Sequence, residues 1–426
     1  MSVKTETKIS MQALAELKSI DDIDFNEIEL SSGQTPDDIN VRCLRLCVDY
    51  LGGVWTQRTP DSIAVKRVMG GVTNQLYYCA IGSLSDETEG SGVPQEVAIR
   101  LYGRKYFTSD DSEDQNDRLN DVITAMLASR SHLGPQVYGI FDGGEILKYY
   151  KHRAFGVEEQ KDAAIGAKVF EKLAKWHSLE APMKKSQWIG PMFEGMFESA
   201  RQYPGLRELI AECNLHTLKR HDIQAERQWL MDLIRECDSP VVFAHNDFRS
   251  ANIMVLEDNN NNNKTTADGG GDEGIVFCDF DASRYGHRGL DFGTLWWEWG
   301  RTFNDYKHEH VFPDDRQIVP LIEAYIWEST RIYGPKYGEN ARNSVRQILK
   351  EVKVFSLVYA MFRVLVDLRC DDKTQETRVS DLPLPGFPVV ENYKLWELLR
   401  HSDTDSSTKL SAILARHRFS PDYPSN

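Results

Sequence analysis

PVVFAHNDFRSANIMVLED, residues 240–258, sets two apolar strand-like runs on either side of a short polar loop. The loop carries His245, Asn246 and Asp247 directly after the first run, and Asn252 directly before the second. Such runs predict strands, so the four-residue interval between Asp247 and Asn252 is held at both ends by regular structure. An acid and an amide fixed at that separation can serve one reaction centre without long, mobile linkers.

A second stretch, GIVFCDFDA at 274–282, places Asp279 at the exit of another apolar run. Protein kinases carry the same Asp-to-Asn interval in H-R-D-x-x-x-x-N and a later D-F-G acid. The chemistry explains the pattern. Asp247 would accept or orient the proton of an attacking hydroxyl, while Asn252 and Asp279 supply hard oxygens to a divalent cation on the phosphates. Each motif alone also describes an ordinary capped turn or a solvated strand exit; their order and strand context together select phosphoryl transfer. Catalysis of that kind rests on alignment and charge neutralisation.

N-terminal to these motifs the chain is strand-rich. A helix is expected over 39–52, with Val41, Leu44, Cys47, Val48 and Leu51 at helical spacing and Gly52-Gly53 as its stop. SIAVKRVMG, NQLYYCAIG and EVAIRLYG follow as strands, the last two separated by a hairpin loop at 84–94. A helix is expected at 115–131, then strands in GPQVYGIF and EILKYY. Gly70-Gly71-Val72-Thr73-Asn74 lies between two strand-like runs, where glycines let backbone amides approach phosphates. Gly71, Thr73 and Asn74 are therefore candidates for nucleotide binding, with Arg100 of EVAIRLYG as the phosphate cation. No G-x-x-x-x-G-K-[ST] occurs, which disfavours a P-loop enzyme.

From about 158 the pattern turns mainly helical, as in KDAAIGAKVFEKLAKWHSLE and AERQWLMDLIREC. The change predicts two unequal lobes joined near 149–156, with a cleft between them. The boundaries are 1–38 for a weakly ordered arm, 39–153 for an N-terminal nucleotide-binding lobe and 154–426 for a catalytic and substrate lobe. The run at 257–273, rich in Asn and Gly, has nothing apolar to bury and is expected as a disordered hairpin tip. The stretch after 372 is expected to be flexible, and the polar loop at 104–117 is a candidate lid.

Composition excludes several classes. The formal charge is −15, from 50 basic and 65 acidic residues. Such a surface repels nucleic acid and anionic membranes, although a local basic pocket and a metal ion still admit a nucleotide. The first twenty residues lack the features of a signal or transit peptide, and no apolar run is long enough to span a bilayer. The seven cysteines are scattered, without a C-x-x-C pair. They read as reduced core thiols of a cytoplasmic protein.

Beyond these local patterns the chain resembles the choline/ethanolamine kinase family from about 40 to 400. GGVTNQLYYC resembles the family's GG-[MV]-[ST]-N segment, EVAIRLYG its V-L-x-R-x-Y-G strand, and LGPQVYGIF its L-G-P-x-L-Y-G-x-F stretch. PVVFAHNDFRSANIMVLED and CDFDASRYGHRGLDFGTLWWEW carry the most specific likeness. The resemblance implies an α+β, two-lobed protein-kinase-like fold with a small antiparallel-sheet N-lobe and a large, mainly helical C-lobe. It implies transfer of the terminal phosphate of ATP, with magnesium, to the hydroxyl of choline or ethanolamine. Asp247 would be the catalytic base, Asn252 and Asp279 the magnesium ligands, Arg100 an ATP contact and Asp291 a buried carboxylate fixing the catalytic loop. An N-cap for the helix that follows is compatible with the same Asp291 position. Glu298 would sit near the amine. Family members often dimerise, so a homodimer is a possible assembly.

The departures bear on substrate. The helix acid that pairs with the strand arginine in the family is here offered only by Asp121 or Asn120, and Asp281-Ala282 lacks an aromatic residue of the family's pattern. In VFSLVYAMFRVLVD, Arg363 and Val366 take the positions of two tryptophans that help to cage the amine. Each lost ring forfeits roughly 0.5–2 kcal/mol of cation–π attraction. Phe303, Phe362, Tyr359 and Tyr393 are available as partial substitutes, and reduced choline affinity is expected. The alternatives are a kinase of another small alcohol, or a catalytically weakened relative that acts as a binding partner.

Overall fold

The computed structural model describes residues 34–69, 73–82, 92–103, 114–185, 189–201, 223–257, 274–300 and 315–373. The expected arm before residue 34, the insertion from 258 to 273, the stretch after 373 and most of the candidate lid lie outside the described residues. Two compact units divide between His152 and Arg153.

The first unit is built on an antiparallel sheet of order β1-β2-β3-β5-β4. Its strands are β1 (Ile63–Val68), β2 (Gln75–Ile81), β3 (Glu96–Leu101), β4 (Val137–Phe141) and β5 (Gly144–Lys148). Helix α1 (Ile39–Tyr50) precedes the sheet and α2 (Asp114–Arg130) lies between β3 and β4 in the chain. The alternation in QLYYCAI sends Tyr77, Cys79 and Ile81 to the core, where they meet Val97, Ile99 and Ile146 of the neighbouring strands and Trp55. Helix α1 covers that face through Ile39, Cys43, Leu44 and Cys47. Val41, assigned to the buried stripe from its spacing, is instead 53% exposed. The face toward the sheet runs along the i, i+4, i+8 line of Ile39, Cys43 and Cys47. The helix ends where expected, with Gly52 and Gly53 at φ of 62° and 54°, a region disfavoured for side chains with a Cβ.

The second unit is mainly helical. Its principal helices are α3 (Ala163–His177), α4 (Ile189–Arg201), α5 (Ile223–Cys237), α6 (Arg288–Trp297), α7 (Asp315–Tyr333) and α8 (Val345–Lys373). Helices α4 and α5 bury Phe193, Phe197, Leu230 and Leu233 against Val354, Val358 and Met361 of α8, each large apolar side chain contributing roughly 1.5–3 kcal/mol. Helix α8 also crosses α6 at close range. A Cβ on Gly293 would lie 2.4 Å from the Phe355 backbone carbon, and one on Gly289 2.3 Å from the Phe355 ring. The glycines of RGLDFG thus admit the bulk of α8, and the Ser356 hydroxyl donates to the Gly293 carbonyl at 3.2 Å.

The short strands that carry the motifs are β6 (Val241–Ala244), β7 (Ile253–Leu256), β8 (Ile275–Phe277) and β9 (Arg284–His287). The two runs flanking the central motif belong to different ribbons. Strand β6 pairs antiparallel with β9, whereas β7 pairs antiparallel with β8. The loop from His245 to Asn252 therefore leaves one ribbon and enters another. Among the described residues, no helix is long and apolar enough to cross a membrane.

Candidate active site

The loop between β6 and β7 is folded by its own backbone. Arg249 N–H donates to the Asp247 carbonyl at 2.9 Å, and Asn252 N–H donates to the Arg249 carbonyl at 2.9 Å. Two successive turns bring the ends of the motif together. The Asn252 side-chain amide then donates to both the carbonyl and the Oδ2 of Asp247, each at 2.9 Å. The β8 exit is tied to the same point, because Cys278 N–H donates to the Asn252 carbonyl at 3.0 Å. Asp279, the next residue, is exposed.

Two residues here hold left-handed backbone: Asn246 at φ 62° and Asp279 at φ 61°. Asn and Asp tolerate that region better than most side chains, yet it still costs about 1–3 kcal/mol per residue. Each sits in one of the two chemical motifs, and the surrounding bonds hold it there. The Asn246 amide donates to the carbonyls of Ala244, Ala282 and Arg284 at 3.3, 3.1 and 3.0 Å.

Asp291 anchors the loop from beneath. Its Oδ2 accepts from His245 N at 2.8 Å and its Oδ1 from Asn246 N at 2.7 Å. It lies within the first turn of α6, whose N-cap is His287, so the N-cap reading is replaced by the anchoring one. His177, at the end of α3, donates from Nε2 to Asp291 Oδ2 at 3.0 Å, and its Nδ1 faces the Tyr325 hydroxyl at 2.9 Å. Burial pushes the His177 pKa down despite Asp291, so the ring is neutral and its proton is on Nε2. The Nε2–H of His245 donates to the Cys278 carbonyl at 3.0 Å.

Glu298, expected near an amine, is buried, with a relative exposure of 3%. Its Oε1 accepts from Arg249 Nε at 3.0 Å and its Oε2 from Ser250 N at 3.3 Å. Both carboxylate oxygens thus engage the loop that carries Asp247. Gln160 adds to the clamp, donating to Ser250 Oγ at 3.0 Å and accepting from Gly300 N at 2.7 Å. Neither Arg249 nor Gln160 was legible as a functional residue. The only signal for Arg249 was its place two residues after Asp247.

On α8, Tyr359 is buried and stacks on Phe362 with centroids 5.8 Å apart. Burial, then Glu298, pushes its phenol up, while Arg249 and Arg363 act in the opposite sense. Val366 packs on the apolar core of this unit.

In the first unit, Arg100 pairs with Glu145 at 3.3 Å across β3 and β5. The acid weighed for it, Asp121 on α2, accepts from Arg118 at 3.1 Å. The arginine's identified partner is thus a strand acid, which strand adjacency supplies directly. Asn74 is buried and accepts from Gly103 N at 3.1 Å, tying the approach to β2 to the exit from β3. Thr73 is half-buried. Gly71, Phe303 and Tyr393 lie outside the described residues.

Comparison with known proteins supports one family. Residues 65–379 match the family model for choline/ethanolamine kinase. The chain is 30% identical to a human choline/ethanolamine kinase over 337 residues, covering 76% of this chain and 78% of the human protein. Among solved structures, choline kinase from Cryptosporidium parvum superposes with a TM-score of 0.57 at 17% identity, covering 84% of this chain and 95% of that one. Plasmodium vivax ethanolamine kinase gives 0.56 at 14% identity, covering 93% and 97% respectively. The fold is the α+β, protein-kinase-like one.

Proposed function

The chain belongs to the choline/ethanolamine kinase family and phosphorylates choline or ethanolamine from ATP, and we propose that Asp247, Asn252 and Asp279 carry the reaction. The observation behind this assignment is the pair of 2.9 Å bonds from Asn252 to Asp247, in a loop pinned from below by Asp291. They fix the carboxylate that would receive the alcohol proton.

The donor set suits magnesium. The Asn252 Nδ2 is committed to Asp247, so a cation would be met by Oδ1, a hard oxygen. Asp279 would add a carboxylate, with phosphates and water completing the shell, as magnesium prefers. When bound, the ion would neutralise phosphate charge and align the terminal phosphoryl group. Asp247 orients the hydroxyl and takes its proton; Glu298 and Asp291 hold the loop that carries it. In the other unit, Arg100, Thr73, Asn74 and Gly71 are the proposed nucleotide contacts.

Arg363 and Val366 stand where the family has two tryptophans, and the loss of those rings supports weak affinity for choline. The free cysteines among the described residues, four of them buried, fit a reducing compartment, and we place the reaction in the cytoplasm.

The test is steady-state kinetics on Asp247→Ala with ATP, magnesium and each alcohol in turn. Loss of a general base costs about 10²–10⁴-fold in kcat, with an unchanged melting temperature because Asp247 is partly exposed. Retention of wild-type kcat would end the assignment.

A further inference from the structure

We propose that Arg118 is a positioning residue for the nucleotide, setting the exit of β3 so that Arg100 and Asn74 are held in place for the phosphates. The inference rests on the nucleotide contacts proposed above. It begins where β3 ends. Leu101 is the last residue of the strand, and Tyr102 and Gly103 follow it out of the sheet. Tyr102 N–H donates to the Gly143 carbonyl at 2.8 Å. Gly103 has no side chain to seat it, and its backbone is gripped on both sides. Its N–H donates to Asn74 Oδ1 at 3.1 Å, and its carbonyl accepts from Nη2 of Arg118.

The same guanidinium reaches further. Arg118 Nη1 donates to the buried Asp121 at 3.1 Å, one turn along α2. Its central carbon stands 4.6 Å from the centroid of the Tyr102 ring, and that of Arg100 stands 6.0 Å from the same centroid, both within range of cation–π attraction. A planar fork makes directed bonds and a ring contact at once, which the point charge of a lysine does not reproduce.

The helix that carries Arg118 is itself seated. Ala125 and Ala128 are buried, and Ser129 Oγ accepts from Val137 N–H of β4 at 3.0 Å. Ser129 lies about 16 Å along the helix from Arg118. Helix α2 thus relates the edge strand β4 to the exit of β3. From Gly103 the constraint passes to Asn74, which stands just before β2. From Tyr102 it passes to Arg100, which is paired with Glu145 of β5. The register agrees: Gln75 lies opposite Leu101, so the approach to β2 and the exit from β3 leave the sheet side by side. Phosphate recognition by such groups depends on their placement.

The experiment compares wild type, Arg118→Gln, Arg118→Lys, Asn74→Ala, Arg100→Gln and the Asn74→Ala/Arg118→Gln pair in the full chain. The Kd for magnesium-ATP is read by titration calorimetry without alcohol, and KM for ATP, KM for ethanolamine and kcat by steady-state kinetics. Arg118→Gln should raise Kd and KM for ATP about tenfold, with kcat and KM for ethanolamine within about threefold, the mark of lost ground-state binding. Arg118→Lys should recover part of the ATP affinity, and it decides the matter if the Gln variant does not fold. Because Arg118 acts on Asn74 through Gly103, the pair should lose less than the product of the two single losses. A lowered melting temperature with wild-type ATP affinity in the Arg118 variants would overturn the proposal and leave Arg118 as a structural tie. Losses that simply multiply in the pair would also overturn it, since Arg118 would then act on ATP by a route of its own. Wild-type ATP affinity in Arg100→Gln and Asn74→Ala would instead remove the nucleotide contacts themselves, and this inference with them.

Discussion

Arg288 and Asp291 lie one turn apart on α6, and both are excluded from solvent, yet they face different parts of their unit. Arg288 donates to Glu351 through Nε at 3.0 Å and Nη2 at 2.7 Å. Its remaining bonds go to Tyr337, Asn343 and the Arg342 carbonyl, at 3.0, 2.9 and 3.0 Å. All five guanidinium donors are thereby satisfied, and every partner belongs to α8 or the segment leading into it. Asp291 turns the other way, accepting from two backbone amides of the catalytic loop and from His177. One helix therefore carries a buried charge that fastens the scaffold and another that fastens the chemistry. Burial and pairing look alike at the two sites; what distinguishes them is what is held, a helix on one side and a loop on the other. Helix α8 is kept in place by a large apolar core as well, whereas the loop is seated by its polar bonds and by two buried rings, His245 and Phe248, packed among Trp176, Phe277 and Phe280.

Breaking the scaffold pair should have the largest effect on folding. Arg288→Met leaves Glu351 buried without its guanidinium, a loss of about 3–5 kcal/mol. Urea unfolding should show this as a lower midpoint, while kcat of the folded fraction stays within about twofold. The Arg288→Met/Glu351→Leu pair should be more stable than either single variant, because the desolvated charge is removed along with its partner. A double variant as unstable as the sum of the singles would mean that the ion pair itself adds little.

Asp291→Asn should invert the pattern. One carboxylate oxygen becomes an NH₂ group facing a backbone N–H, so the loop loses an acceptor. The stability cost is that of one unsatisfied buried group, about 1–3 kcal/mol. Activity should fall further in proportion, about 100-fold in kcat, because small displacements of a reacting group carry that cost. If kcat and stability of Asp291→Asn moved as they do in Arg288→Met, the division between the two charges would not hold.

How much of this was legible in the sequence depends on distance along the chain. The Asp247–Asn252 contact closes a loop of a few residues bounded by two apolar runs, so local pattern sufficed. The strands of the first unit and helices α1 and α2 were placed for the same reason, and the end of α1 needed only nearby residues. The long-range pairings were not accessible. RYGH at 284–287 shows no clean alternation, yet it becomes the partner of VVFA. Glu145 meets Arg100 only because β5, and not β4, lies beside β3. Val41 fitted a helical stripe, but the direction from which the sheet approaches decides which stripe is buried. Asp291 was reached by family resemblance, and His177, more than a hundred residues away, by no sequence signal at all.

That histidine gives the smallest and most specific test of the comparison. His177 is neutral in the fold, its Nε2–H on Asp291 and its Nδ1 accepting from Tyr325. Burial is the main cause of its lowered pKa, and the nearby Asp291 only partly offsets it. The unfolded chain binds a proton near the ordinary value of 6.5, while the folded chain does so at lower pH. Between those two values the unfolded state holds the extra proton, so stability rises with pH across the window and is complete above the unfolded value. On acidification below about pH 6.5, His177 should therefore withdraw up to about 1.4 kcal/mol per pH unit. His287, also buried with a lowered pKa, adds a contribution of the same sign on the scaffold side of α6. His177→Gln keeps a donor for Asp291 and an acceptor for Tyr325 but cannot titrate. Unfolding free energies at pH 7.5 and 5.5 should show a shallower acid loss in His177→Gln than in the wild type, with the His287 share intact. Identical slopes would mean that His177 does not titrate differently in the folded and unfolded chains, and that the hydrogen bond to Asp291 is strong enough to cancel the cost of burying its charge.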